Sequence, residues 1–215
     1  MTVTVDELEV ADSPEAWTRA GFSVDPGGDA GSICRVGAVR IRLVGDDRGT
    51  GIIGWSLHGL PQQPGDDLDG IPTVRSDATT AEPATHPNGV VAIDHVVLLS
   101  PDLGRTVDAL AAIEVAPRRE RNGELGGRPI RQVFFRFGEV ILEVVGSPDT
   151  AGDGPSTLWG ITYTVHDIDA TAAFFGDHTA PVKDAVQPGR RITTVRHKDF
   201  GMSVRTAVIS ATVRS

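Results

Sequence analysis

The stretch AIDHVVLLSPDLGRTVDAL, Ala92 to Leu110, decides how the chain is read. A run of β-forming residues holds one histidine, His95, and is followed by Ser-Pro-Asp and a helix-like segment. Leu103, Val107 and Leu110 recur at helical spacing, with Ser100 as the expected N-cap and Pro101 at the first helical position. An imidazole inside an apolar strand is either a satisfied core histidine or a ligand facing a cavity. The segments around it bear on the choice.

Downstream, RQVFFRFG (131–138) alternates polar and apolar residues and then turns aromatic. EVILEVVG (139–146) is a strand with one interior carboxylate, Glu143. The Gly138-Glu139 pair between them suits a tight turn. The same order then recurs. LWGITYTVHDIDATAAFFGDH (158–178) repeats the first strand and helix, with Asp167 where Asp102 stood. GRRITTVRHKDFGMSVRTAVIS (189–210) gives two strands around an Asp-Phe-Gly turn. Upstream, TVDELEVADSPEAWTRAGF (4–22) reads as strand, cap and helix, and SICRVGAVRIRLVG (32–45) as a strand pair around a Gly-centred turn. GTGIIGWSLHGL (49–60) begins a further unit that no convincing helix follows.

The chain is therefore read as βαβββ modules in an α+β fold. Residues 1–60 form a degenerate half, one module plus a truncated one. Residues 61–89, rich in Pro, Gly and Asp, form a linker or loop whose DLDGIP portion still has packing potential. Residues 90–215 hold two full modules, 90–146 and 155–215. A single module has an apolar sheet face that it cannot bury alone, so modules must pair, and paired sheets curve around a cleft.

Composition narrows the partners. The 215 residues carry a formal net charge of −9, which disfavours nucleic acid. One cysteine, Cys34, excludes an intrachain disulfide and a Cys-rich zinc site. The acidic start of the chain lacks the pattern of a signal peptide, and no apolar run approaches the roughly 18 residues of a membrane helix. A soluble cytoplasmic protein with a small-molecule ligand is expected. PGGDAGS (26–32) lacks the Lys-Ser/Thr ending of a phosphate loop, and the Asp pairs lack calcium-loop spacing.

The modules IDHVVLLSPDL…VFFRFGEVILEVVG and their repeat resemble the vicinal-oxygen-chelate superfamily of glyoxalase I, bleomycin-resistance proteins and extradiol dioxygenases. The likeness is stronger over 90–210 and weaker over 2–60, and runs towards glyoxalase-like proteins of unassigned substrate. It implies that a first strand gives a histidine and a last strand a glutamate to a divalent metal, with paired modules completing the site. His95 and Glu143 then stand as the metal pair, for Zn, Ni, Fe or Mn. Gly160 replaces the histidine in the last module, and Arg205 falls close to the place of Glu143. Val5 and Arg42 take the two places in the first module, and Gly54 the histidine's place in the truncated one. The resemblance thus implies a lyase, isomerase or dioxygenase with an incomplete metal site, Glu143 serving alternatively as general base, or a metal-free binding protein of the drug-resistance kind. Family members often pair modules across chains, which leaves a homodimer open.

Ligand-binding candidates come from charge. Gln132, Phe134 and Arg136 alternate on one strand and share a face, either a pocket wall or a solvent-facing stripe. PVKDAVQPGRRITTVRHK (181–198) concentrates Lys183, Arg190, Arg191, Arg196 and Lys198. Lys183 and Arg190, with Arg136 and Arg205, are candidates to hold a substrate anion, against a plain charged hairpin. His58, His86, His166 and His197 are expected on the surface, and Cys34 as a buried inert thiol.

Overall fold

A computed structural model describes residues 2–28, 31–61, 65–78 and 82–212. The first module runs β1 (Thr4–Val10), α1 (Pro14–Arg19), β2 (Val24–Asp25), β3 (Ser32–Val36) and β4 (Val39–Leu43). The truncated unit is β5 (Ile52–His58), β6 (Asp67–Leu68) and β7 (Ile71–Ser76), with no helix among its described residues. The third module is β8 (Val90–Leu99), α2 (Leu103–Ala112), β9 (Pro117–Leu125), β10 (Arg128–Phe137) and β11 (Val140–Gly146). The fourth is β12 (Thr157–Val165), α3 (Ile168–Phe175), β13 (Lys183–Asp184), β14 (Arg191–Val195) and β15 (Arg205–Ser210).

Two mixed sheets result, ordered β2-β3-β4-β1-β5-β7-β6 and β13-β14-β15-β12-β8-β11-β10-β9. Both follow one plan. The first strands of two modules pair antiparallel at the centre, β1 with β5 and β8 with β12. Each then pairs in parallel with the last strand of its own module. The apolar face of each central pair makes the core, with Leu8, Ile41 and Leu57 in the first sheet and Val96, Leu98, Leu142 and Val208 in the second, all buried.

Local chemistry sets the element ends. Asp102, not Ser100, caps α2, its carboxylate accepting the Arg105 amide at 3.1 Å. Ser100 instead meets the Thr106 hydroxyl at 2.6 Å. A carboxylate is a stronger acceptor for the exposed helix amides than a hydroxyl, and Asp167 repeats the arrangement on α3. Gly37 and Gly138, with φ of 59° and 67°, close the β3–β4 and β10–β11 hairpins.

The Pro/Gly-rich segment carries more structure than its composition suggests. Asp69-Gly70, both at positive φ (52° and 85°), turns β6 onto β7, the backbone that an Asp-Gly pair adopts most readily. β7 then extends the first sheet beside β5. The tip of this hairpin is the dock between the two halves. A Cβ on Gly70 would lie 2.5 Å from that of Pro155. The buried Asp69 carboxylate accepts from Arg105, Thr106 and Ser156. A second dock mirrors it, where Asp12 accepts from the Trp17 indole at 2.9 Å and from the amide and hydroxyl of Ser203. The end of the segment is also bonded on both sides. Asn88 donates to the Ala20 carbonyl at 3.0 Å, and its own carbonyl receives the Thr171 hydroxyl at 3.1 Å. No helix is long and apolar enough to cross a membrane among the described residues.

His86, buried in this segment, receives the Ser23 amide on Nδ1 at 3.0 Å and donates from Nε2 to the Arg35 carbonyl at 3.0 Å. Burial pushes its pKa down, and the bond to Arg35 offsets this only in part. A depressed folded-state value means that this contribution is intact above the unfolded value, about 6.5, and declines as pH falls through the folded value. Urea midpoints should therefore fall as pH drops below about 6.5, and His86→Gln, less stable throughout, should show a shallower acid slope. Asp69→Ala should destabilise by about 3 kcal/mol in the same assay, because three donors lose a buried charged acceptor.

Candidate functional site

The position of His95 is set by a backbone irregularity. In the β8–β12 ladder His95 faces Thr162 and Ile93 faces Tyr163, so Asp94 is one residue too many. A bulge of this kind turns the extra residue and its neighbour to the same side. Asp94 and His95 accordingly meet, Nδ1 to Oδ2 at 2.8 Å, while Ile93 and Val96 stay in the core. The same bulge recurs at Trp159-Gly160, where Leu158 faces Leu98 and Gly160 faces Val97. Asp94-His95 and Trp159-Gly160 are thus matched positions, each on the first strand of its module.

Pairing with the last strand gives the second member of each site. His95 lies opposite Ile141, and Glu143 opposite Val97. His95 Nε2 lies 3.5 Å from Glu143 Oε2. The other oxygen of Glu143 accepts from the Gln132 amide, whose own oxygen accepts from Arg121 at 2.8 Å. Asp94 is further held by Arg190 at 2.5 Å. Burial alone would raise the Asp94 carboxyl, but the hydrogen bonds from His95 and Arg190 outweigh it and hold it below its usual range.

The three sister sites differ, and the ladders correct two readings. In the last module Gly160 takes the histidine's place as expected, but Ala207, opposite Thr162, takes that of Glu143. Arg205 pairs with Gly160, in the place of Ile141. Its guanidinium stacks over Trp159 at 4.7 Å, and it is not among the residues lining the cleft described below. In the first module the bulge falls at Asp6, so Glu7, not Val5, matches His95. Both corrections come from offsets of one or two residues, which a strand's two-residue period turns into a different register or a different face. Arg42 stands where expected and grips Glu7 with two bonds, at 2.7 and 2.8 Å. Arg40 joins Glu7 to the buried Asp6. The truncated unit has Gly54 and, two places on in β7, Val74.

Around His95 and Glu143 the second sheet encloses a cleft of about 610 Å³. Its walls include Phe134, Ile141, Ile192 and Ile209. Arg118, Arg119, Arg121, Arg136, Lys183 and Arg190 also line it, against the carboxylates of Glu143 and Asp184. Arg119 sits 5.6 Å over the Phe134 ring. Sequence-predicted residues brought together here are His95, Glu143, Arg136, Lys183 and Arg190, with Gln132 bonded to Glu143 just behind them. Arg191 is drawn away by Asp169, at 2.6 Å. A second cavity of about 520 Å³, bounded by Val5, Val36, Phe137 and Val140, holds none of the cationic side chains.

Sequence reasoning missed Asp94, Arg118, Arg119 and Arg121. Asp94 was out of reach, since strand parity puts it on the face opposite His95 unless the bulge is known. The arginines were signalled by PRRER (117–121), a basic cluster in an acidic chain. Cys34 is buried, and burial pushes its thiol well above the ordinary range, an inert group as expected. Of the four imidazoles expected on the surface, His58, His86, His166 and His197, only His166 is exposed. His86 and His197 are buried and His58 half-buried, against expectation, because backbone carbonyls or amides bond the ring of His86 and a carbonyl that of His58.

The donors present do not fit a resident divalent metal. Among the described residues no three His, Cys, Asp or Glu side chains come together to hold one. Two donors come from one module, and the matched module offers Gly160 and Ala207. A Cβ on Gly160 would lie 2.8 Å from the Arg205 carbonyl, so no side chain is accommodated there. The ring of arginines opposes a cation as well.

No protein-family model matches the sequence, and no characterised protein matches it significantly. Solved structures do match in shape. A mutant form of 4-hydroxymandelate synthase from Streptomyces coelicolor aligns over 100% of this chain and 94% of its own, with a TM-score of 0.67 and 16% identity. A catechol 2,3-dioxygenase aligns over 99% and 89%, at 0.65 and 12%. An extradiol ring-cleaving dioxygenase from B. fuscum aligns over 98% and 72%, at 0.62 and 15%. With two curled sheets, each built on a pair of modules of βαβββ type, one of them truncated, the chain has the vicinal-oxygen-chelate fold.

Proposed function

We propose that the cleft of the second sheet is an acid–base site for a small oxygenated organic anion, working as an isomerase or lyase without a resident metal. The observation that carries this reading is the lining itself: six cationic side chains and the His95–Glu143 pair on one cleft, in a chain of net charge −9.

The chemistry follows from the parts. A bound carboxylate meets the arginines and Lys183, which also stabilise negative charge developing next to it. Glu143, acceptor-only when ionised, takes a proton from the carbon beside that carboxylate, and the C–H electrons pass into the enolate. His95, oriented through Nδ1 by Asp94, delivers a proton from Nε2. Delivery to carbon completes an isomerisation, and delivery to a departing oxygen completes an elimination. Gln132 holds Glu143 in place by its second oxygen.

A second reading has one observation in its favour. Both His95 and Glu143 are already engaged by protein partners, Asp94 and Gln132, so the cleft would also serve to sequester an anion without turning it over.

Proton exchange separates the two. Hydroxy and oxo carboxylates are incubated with the protein in D2O, and deuterium incorporation at the α carbon is followed by NMR. Wild type should exchange at least one substrate, and Glu143→Gln should slow it by about 10²–10⁴ with affinity changed only a few-fold. Binding with no exchange would leave sequestration. Elemental analysis of protein purified without a metal-binding tag should find metal far below one equivalent. Stoichiometric metal that His95→Ala removes would overturn the metal-free reading.

A further inference from the structure

The cleft is lined by both outer edges of one sheet. β9 and β13 are the terminal strands of an eight-stranded order. Neighbouring strands lie about 4.8 Å apart, so a flat sheet of this size would separate them by roughly 34 Å. Yet Arg118, Arg119 and Arg121 from β9 and Lys183 from β13 line the same 610 Å³ space. The sheet curls until its edges oppose each other, and each edge brings positive charge.

The distribution of that charge is specific. Arg119 lies opposite Phe134 in the β9–β10 ladder and Arg121 opposite Gln132, so both arginines share the cleft face with Arg136. Among the described residues, no carboxylate lies within 4 Å of Arg118, Arg119, Arg121, Arg136 or Lys183. Arg190, by contrast, is spent on Asp94 and on the Ser210 carbonyl. Between the two charged edges the surface is apolar, with Phe134, Ile141, Ile192 and Ile209. His95 and Glu143 belong to the strands in between. With Arg190 paired to Asp94, the five remaining cations against the carboxylates of Glu143 and Asp184 still exceed what a monoanion neutralises.

Resting on the acid–base reading above, we infer that the ligand is a dianion with an apolar middle. One acidic group is held by the arginines of β9–β10 and the other by Lys183 across the cleft, and the chain between them passes His95 and Glu143. This arrangement presents an interior carbon of the ligand to the proton-transfer pair.

Adipate, a six-carbon dicarboxylate, and hexanoate, the monocarboxylate of equal length, are the probes, measured by calorimetry at low salt on the full chain. Adipate should bind at least about tenfold tighter than hexanoate, because its second charge meets the second edge. Arg119→Gln and Lys183→Gln should each bring adipate down towards the affinity of hexanoate. Unfolding midpoints confirm that both variants fold. Adipate and hexanoate binding within about threefold of each other would overturn the dianion and leave the anion site standing. Loss in Arg119→Gln with none in Lys183→Gln would overturn the two-edge geometry. Binding of neither probe would overturn this inference together with the reading on which it rests.

Discussion

The bulge at Asp94-His95 is the constraint on which the site depends. Without it β8 alternates strictly, and Asp94 goes to the face opposite His95. With it, Asp94 comes to the side of His95 and bonds it, and His95 lines the cleft, while Ile93 and Val96 remain in the core. Asp94 can then orient the imidazole and take up Arg190, and Nε2 is left facing Glu143. The matching bulges at Asp6, Ile53 and Trp159 belong to the same central pairing, so they are part of how two modules join. The join creates the special position, and sequence decides what stands there.

That decision differs four times in one chain. In the first module Glu7 and Arg42 fill the two positions and satisfy each other, with Arg40 and Asp6 beside them. A charge pair closed on itself needs no ligand to balance it. Gly54 and Gly160 sit where a Cβ would press on a backbone carbonyl, of Pro72 at 3.1 Å and Arg205 at 2.8 Å. Only His95 and Glu143 combine two polar groups with open space before them. One open cleft from four related positions is what sterics and charge balance leave.

The order of strands and helices was legible in the sequence because the modules repeat their apolar spacing and glycine turns, and the last two repeat an aspartate at the helix start, Asp102 and Asp167. Gly54, Gly160 and Arg42 were placed by the same repetition. Arg205 and Val5 were not, since parallel pairing and the bulge at Asp6 move the true partners to Ala207 and Glu7. The strands of 67–76 were hidden by composition: a hairpin whose tip is Asp-Gly and whose second strand holds a proline reads as loop until β5 is there to pair with it. The docking roles of Asp69 and Asp12 do not show in the sequence, because donors such as Ser156 and Ser203 come from segments far along the chain. What single-strand patterns cannot carry is the curl of the sheet, and that curl brings Arg121 and Lys183 to one cleft.

An acidic protein with a cationic cleft has an electrostatic design beyond its contacts. The surface charge repels anions in general, whereas low-dielectric walls such as Phe134 and Ile192 focus the local positive field into the cleft. On the proposed reading the cleft would therefore select ligands small enough to leave the surface field behind and charged enough to answer the arginines. The repulsion among those arginines is a cost carried by the free protein. A bound anion would relieve it. A site that neutralised itself, as Glu7 and Arg42 do, would be more stable and would have nothing to offer a ligand.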